Sequence, residues 1–400
     1  MPFDFTSILD RRGNDAIAFD GLGLAPGAPE PPEPGFDPIP MWIADSSFPV
    51  APCITEAIAA RLSHPSFGYF KIRPEYHRAI IDWHRRRYGV QGLLPGHIGY
   101  ENGVLGGLMS TVFASASPGD TVLLHSPTYV GFTNVLTNAG FKIELSPLAR
   151  DADGIWRMDF EDMARRLKRT RAHVAVFCSP HNPTGRVWER WEIERALEVY
   201  AEHGCTVISD EIWADIVRPG GRHIPTQSVG DDARRRTVAL YALSKTFSLA
   251  GLVGSYHVIY DDTLRDRVVS QASKSHYNSV NVLSMHALIG AYTDEGAAWV
   301  DELNGVIAAN TDRAAAFFRE RDCGIEAAAP EGTYMLWLDA GTWCERHGAD
   351  VGELLRAGWR VGVGWQDGRP FHGEHHIRMN LALPAARLEE ALARLAEHVL

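Results

Sequence analysis

The chain has 400 residues, 45% of them apolar and 22% charged, which is too long for one simple core and predicts a large domain with a smaller one attached. Its formal net charge of −11 offers no polyanion-binding face and argues against a nucleic-acid partner. The arginine runs 85–87 and 234–236 sit among acidic residues and read as solvated helix faces.

The first feature in chain order is residues 21–40, rich in Gly and Pro and read as an extended arm. Its glycines mimic a dinucleotide fingerprint, but no strand precedes them and prolines stand where a helix should begin. Helices are predicted over 52–61 and 75–88. Residues 121–125 and 174–178 are short apolar runs ending in turn residues, the pattern of buried parallel strands. An amphipathic helix over 191–203 runs to Gly204, followed by strands over 206–209 and 238–243. A long helical stretch over 281–320, a strand over 334–339 and a last helix near 385–399 close the chain. Alternating strands and helices predict an α/β fold, a parallel sheet covered on both faces. The expected division is an arm and part of the small domain over 1–50, a large domain over 51–290 and a small α+β domain over 291–400.

The five cysteines are scattered, odd in number and without a C-x-x-C pair, which argues against a disulfide framework or a structural zinc site. No basic-then-apolar leader opens the chain, and no apolar run approaches the roughly 18 residues of a membrane span. A cytoplasmic protein with no membrane partner is expected.

In open parallel sheets, ligands bind outside the carboxyl ends of the strands. Asn182, Asp210 and Lys245 each follow a predicted strand, at spacings of 28 and 35 residues that each fit one helical crossover. Each has a bland reading alone: a turn at Asn182-Pro183-Thr184-Gly185, a helix cap at Asp210, a surface amine at Lys245. In order and at strand ends, they point to an amide, a carboxylate and an amine serving one crevice.

The strings CSPHNPTGRVW (178–188), VISDEIW (207–213) and LSKTFSLAG (243–251) resemble the signature of fold-type I enzymes of pyridoxal 5′-phosphate (PLP), the aspartate-aminotransferase superfamily. FDFTSILDRRG (3–13), PMWIADSSFPVAPCI (40–54), FGYF (67–70), GTYMLWLD (332–339) and HIRMNLALP (376–384) are similar to its MalY/PatB branch of cystathionine β-lyases and related C–S lyases. The resemblance implies the fold-type I PLP-dependent transferase fold, with a mainly parallel seven-stranded sheet and a smaller α+β C-terminal domain. It implies that Lys245 binds the PLP aldehyde covalently and then removes the substrate Cα proton. Asp210 would pair with the pyridine nitrogen, Asn182 donate to the ring phenolate oxygen, and Tyr129 stack on the ring. Gly103, Val104 and Leu105 would hold the phosphate at a helix N-terminus, with Ser244 adding a hydroxyl. Tyr69 corresponds to a tyrosine that reaches the phosphate of the neighbouring subunit, which implies a homodimer. Arg378 would take the substrate α-carboxylate, with Ala44, Asn182 and Tyr129 also on the substrate side.

The sequence departs from that branch at three places. Trp213 stands where the lyases have His and aminotransferases Tyr, and an indole, lacking an acceptor, keeps contact with the cofactor but cannot relay a proton. Ser46-Ser47 replaces Met-Asp beside the expected substrate, and Ala242 replaces a serine three residues before the lysine. Val253 replaces the phosphate-binding Arg of many aminotransferases, which suits the lyase branch. The resemblance therefore implies a β-lyase acting on cystathionine or another S-substituted L-cysteine. The alternatives are an aminotransferase, a specialised enzyme that decarboxylates or oxidatively deaminates an S-conjugated cysteine, and a PLP-retaining regulator. His372, His375 and His376 lack metal-ligand spacing and read as loop residues, so no metal is expected. Trp337 and Trp359 read as small-domain core.

Overall fold

The computed structural model describes residues 3–275 and 278–400. Met1 and Pro2 of the expected arm lie outside them. By their contacts the residues form two compact units, one of 50–181 with 186–301, the other of 1–49, 182–185 and 302–400.

The unit of 50–181 and 186–301 is built on an eight-stranded sheet. Its strands in chain order are β1 (Ile98–Glu101), β2 (Thr121–Ser126), β3 (Lys142–Arg150), β4 (Trp156–Met158), β5 (Val174–Cys178), β6 (Thr206–Asp210), β7 (Thr237–Ala242) and β8 (Ser255–Val258). The spatial order is β1-β8-β7-β6-β5-β2-β3-β4. The central strands pair in parallel, while β8 runs antiparallel to β7 and β4 folds back on β3. The expected seven strands are thus joined by a three-residue hairpin strand, Trp156–Met158, too short to show a period in sequence. Every residue of β5 and β7 is buried, as continuous apolar runs covered on both faces must be. Alternation splits β5 between the faces: Val174, Val176 and Cys178 join one core with Leu108 and Phe132, Ala175 and Phe177 another with Ile193 and Tyr200.

Strand ends shift slightly from expectation. β7 stops at Ala242, and Leu243 instead opens a helical turn, Leu243–Thr246, that carries Lys245. The helix expected over 75–88 is α-helical only over Pro74–Trp83 and continues as a π-turn, His84–Tyr88. The long helical stretch is two helices, Val282–Ala291 and Asp294–Arg321, where the Thr293 hydroxyl accepts from the Gly296 N–H at 3.1 Å and caps the second.

In the other unit, strands Glu326–Ala327, Met335–Asp339, His376–Asn380 and Gln366–Asp367 form an antiparallel sheet in that spatial order. Its register sets Arg378 opposite Trp337 on one side and Gln366 on the other. Leu336, Leu338, Ile377 and Met379 alternate into a core with Trp365 and Leu388, and Trp359 packs against it. Trp337 is buried too, stacked on His376 at 4.8 Å, so His376 begins a strand and is not a loop residue. The arm over 21–40 is turn-rich rather than uniformly extended, and ends with Ile39–Pro40 pairing in parallel with Val363–Gly364. Among the described residues no helix is long and apolar enough to cross a membrane.

Candidate active site

Two neighbouring parallel strands deliver the principal charged candidates of the first unit. β6 ends at Asp210, paired in register with Leu240 of β7, and β7 leads directly into the turn of Lys245. Asp210 is 4% exposed and accepts from the Ile212 N–H at 3.1 Å through Oδ1. Burial pushes its carboxyl up to about 7, opposed by that N–H and by the Lys245 ammonium. Lys245 Nζ lies 5.8 Å from the centroid of the Trp213 ring, itself 1% exposed. An ammonium over an indole face is electrostatically favoured.

Glu211, beside Asp210, is also buried, yet behaves oppositely. Burial pushes its carboxyl up, but His223, Tyr241 and the Thr226 N–H overcome this and hold it below its ordinary value. His223 Nε2 lies 2.7 Å and Tyr241 Oη 2.6 Å from Oε2, while the Thr226 N–H and Ser209 Oγ reach Oε1 at 3.0 and 2.9 Å. Four donors around one carboxylate keep it ionised.

Gly103 is the N-cap of the helix Val104–Ser115, at φ +76, a conformation that favours glycine. A Cβ there would meet no atom within 4 Å, so the space over this backbone is open. Helix geometry leaves the first-turn N–H groups of Val104 and Leu105 without intrahelical acceptors, and they carry the positive end of the dipole. The turn is held from behind: the Asn102 N–H donates to Asn278 Oδ1 at 2.8 Å, and buried Glu101 meets His257 Nδ1 at 2.7 Å. Ser244 is half-buried beside Lys245. Tyr129 caps the helix Val130–Asn138, its ring edge-on to Phe132 at 5.3 Å. A Cβ on Gly131 would lie 2.3 Å from Tyr129 Cε1, so glycine is what lets the ring lie there.

Tyr69 is fully exposed on the same unit, near exposed Leu62, Phe67, Phe70 and Ile72. The cleft of about 600 Å³ beside it is also lined by Arg61, Lys71 and Arg73.

Arg378 and Asn182 belong to the other unit. Arg378 is 3% exposed and donates to Asn182 Oδ1 at 3.0 Å, to the Trp42 carbonyl at 3.1 Å and to Gln366 Oε1. Its guanidinium lies 4.4 Å from the Phe371 ring centroid. Ala44 sits in a segment clamped by Asn380, whose amide donates to the carbonyls of Ile43 and Asp45 at 2.7 and 2.6 Å. Arg11 pairs with the Asp45 carboxylate and donates to the Ser46 carbonyl. Buried Ser46 turns its hydroxyl inward to accept from the Phe48 N–H at 3.2 Å.

Sequence reasoning missed Glu211, His223, Gln366 and Phe371. Glu211 was visible inside the string VISDEIW, but nothing local marks His223 or Tyr241 as its partners. Gln366 and Phe371 meet Arg378 only through sheet register and a turn, so their sequence carries no signal.

The sequence model of the family described as aminotransferase class I and II matches residues 42–395. Cystathionine beta-lyase PatB of Bacillus subtilis (strain 168) is 31% identical over 399 residues, covering 98% of each chain. Protein MalY of Escherichia coli (strain K12) is 30% identical, again over 98% of each. The crystal structure of cystalysin from Treponema denticola, which contains a pyridoxal 5′-phosphate cofactor, superposes with a TM-score of 0.90 at 27% identity, over 99% of this chain and 98% of that one.

Proposed function

The chain belongs to the aminotransferase class I and II family, and we propose that it is a PLP-dependent carbon–sulfur β-lyase. Its substrate in this reading is cystathionine or another S-substituted L-cysteine, cleaved to a thiol, pyruvate and ammonia. The observation that carries it is similarity along 98% of the chain to a relative named as a cystathionine β-lyase, at 31% identity.

The residues present suit the cofactor. An amine and a buried carboxyl raised to about 7 stand at adjacent strand ends, and the positive charge of a protonated pyridine nitrogen would favour the ionised form of that carboxyl. The open backbone at Gly103 and the helix N-terminus behind it suit a phosphate dianion. PLP, when bound, supplies an electron sink for charge developing at the substrate Cα.

The roles follow from what each side chain can do. Lys245 holds the cofactor and takes the Cα proton, which calls for an amine free to deprotonate. Asp210, ionised beside a ring nitrogen, keeps that nitrogen protonated. Tyr129 and Trp213 present aromatic faces that limit ring tilt and keep water from Lys245. Val104 and Leu105 N–H groups with the Ser244 hydroxyl take the phosphate. Arg378 takes the α-carboxylate in a bidentate grip, pre-aimed by Gln366, the Trp42 carbonyl and the Phe371 face. Asn182 accepts from Arg378 through Oδ1, which leaves its NH2 to donate to the cofactor phenolate oxygen. Ala44 lines the substrate side. Departure from Cβ needs a good leaving group there, so specificity lies partly in the substrate.

We also read the protein as a cytoplasmic homodimer in which Tyr69 reaches the partner's phosphate. An exposed apolar run with Arg61, Lys71 and Arg73 beside it supports such a contact. The two units serve in this reading as a large cofactor-binding domain and a smaller one, divided near residues 50 and 290.

The test is PLP-loaded protein with L-cystathionine and a panel of S-alkyl cysteines, no keto acid present, and Lys245→Ala as control. Multiple-turnover release of thiol with matching pyruvate and ammonia is expected. Turnover only after a keto acid is added would overturn the lyase in favour of an aminotransferase. Carbon dioxide release or oxygen uptake would identify the redirected chemistry that Trp213 and Ser46-Ser47 motivate.

A further inference from the structure

The loop after β6 presents Asp210 at its start and Asp215 near its end. Asp215 is 6% exposed. Its Oδ1 accepts from Tyr88 Oη at 2.7 Å and from Trp83 Nε1 at 3.1 Å, and Arg87 Nε lies 3.7 Å away. Its Oδ2 accepts from Thr246 Oγ1 at 3.3 Å. Thr246 follows Lys245 in the same helical turn. The carboxylate therefore joins three segments: the loop that carries Asp210 and Trp213, the turn that carries the lysine, and the helix Pro74–Trp83 with its extension.

Trp83 and Tyr88 reach one carboxylate because that helix changes its winding. In an α-helix, residues five apart point about 140° apart around the axis, at about 100° per residue. Over His84–Tyr88 the chain is a π-turn, whose wider winding brings residues five apart towards one face. Such turns are rare and concentrate at functional sites. Beyond the carboxylate, Trp83 stacks on Tyr292 at 4.4 Å and meets Phe247, the residue after Thr246, at 6.0 Å. Phe247 in turn stacks on Trp299 at 5.6 Å. The anchor is aromatic, and the Thr246 hydroxyl joins it to the lysine turn.

We infer that Asp215 is a positioning residue for Lys245: through the Thr246 hydroxyl it locks the lysine turn to the loop that carries Asp210 and Trp213. The inference rests on the role given to Lys245 above. Its consequence is orientation. With the joint cut, the turn after β7 loses the Thr246 tie to Asp215, and Nζ drifts from its place over Trp213, while Arg378 keeps its grip on the carboxylate.

The experiment compares PLP-loaded wild type, T246V, T246S and D215N. It reads visible circular dichroism per bound cofactor, kcat and KM with the best substrate of the panel, and the thermal midpoint. T246V keeps the side chain's shape and removes the hydroxyl, so it carries the test whether or not D215N folds. Expected for T246V and D215N are an altered visible ellipticity per cofactor and a kcat about 10- to 100-fold lower at nearly unchanged KM, the scale of a small misplacement of a reacting group. T246S, which keeps the hydroxyl, restores both. Wild-type ellipticity and kcat in T246V overturn the inference. So does a loss that tracks the thermal midpoint alike in T246V and T246S, which marks a merely structural role. A wild type that takes up no cofactor overturns the proposed function itself, and this inference with it.

Discussion

Asp210→Asn sets the needs of the site against the preference of the fold. Without cofactor, burial raises the Asp210 carboxyl from its ordinary 3.8 to about 7. Below about pH 4 the folded and unfolded chains both hold that proton. As pH climbs, the unfolded chain releases it first, so folding loses stability until the folded carboxyl also ionises; above that point the deficit is constant. A gap of about 3 pH units at about 1.4 kcal/mol each amounts to about 4 kcal/mol. Asparagine carries no such charge, so the cofactor-free variant is expected to be more stable than wild type by about 4 kcal/mol at pH 8 and by only about 1 kcal/mol at pH 4.5. A chain of this length unfolds with about 0.8 kcal/mol/K of entropy, which makes the pH 8 difference about 5 °C in midpoint. Calorimetry of both cofactor-free proteins at the two pH values checks it. In the same preparations, adding PLP should stabilise wild type more than the variant, and the variant's turnover should fall. An advantage equal at both pH values, or none at pH 8, refutes the argument that the Asp210 charge is held at a cost to folding.

Two further predictions concern the substrate grip and the ring face. Arg378→Lys keeps a charge but loses the planar fork that spans Asn182, Gln366 and the Trp42 carbonyl, so KM should rise about 30-fold, the equivalent of about 2 kcal/mol for charge-assisted hydrogen bonds, with the cofactor spectrum unchanged. Steady-state kinetics and absorbance read this together. Gly131→Ala places a methyl 2.3 Å from Tyr129 Cε1 and must move the ring or the helix, at about 1–3 kcal/mol. It should weaken PLP binding about tenfold in an equilibrium titration, with Tyr129→Phe much milder because the ring stays in place.

What the sequence made legible has a common physical character. Strands β5 and β7 could be read because burial on both faces leaves nearly unbroken apolar runs, and β6 by its short Val207-Ile208 core after the Gly204 helix end. Asp210 and Lys245 could be read because each is a polar residue placed where such a run stops. Gly103 was legible for a local reason too, a backbone conformation at a helix start. The residues that hold these in place left no such mark. Two of the partners of Glu211, His223 and Tyr241, lie 12 and 30 residues away, and Trp83 and Tyr88, which donate to Asp215, lie more than 120 residues earlier. A buried carboxylate asks only for donors, and tryptophan, tyrosine, threonine and arginine all qualify, so sequence constrains neither which nor where. The π-turn was hidden for the same reason: 75–88 has the periodicity of one helix, and the meeting of Trp83 and Tyr88 on one carboxylate, which favours a wider last turn, is not written in it. In the proposed reading, the groups offered to the cofactor are thus written in local pattern, whereas the inferred hold on the angle of Lys245 depends on distant donors. Substitutions at Thr246, Asp215 or Trp83 can therefore alter the outcome at Lys245 while every residue of the recognisable signature strings that meets the cofactor stays unchanged.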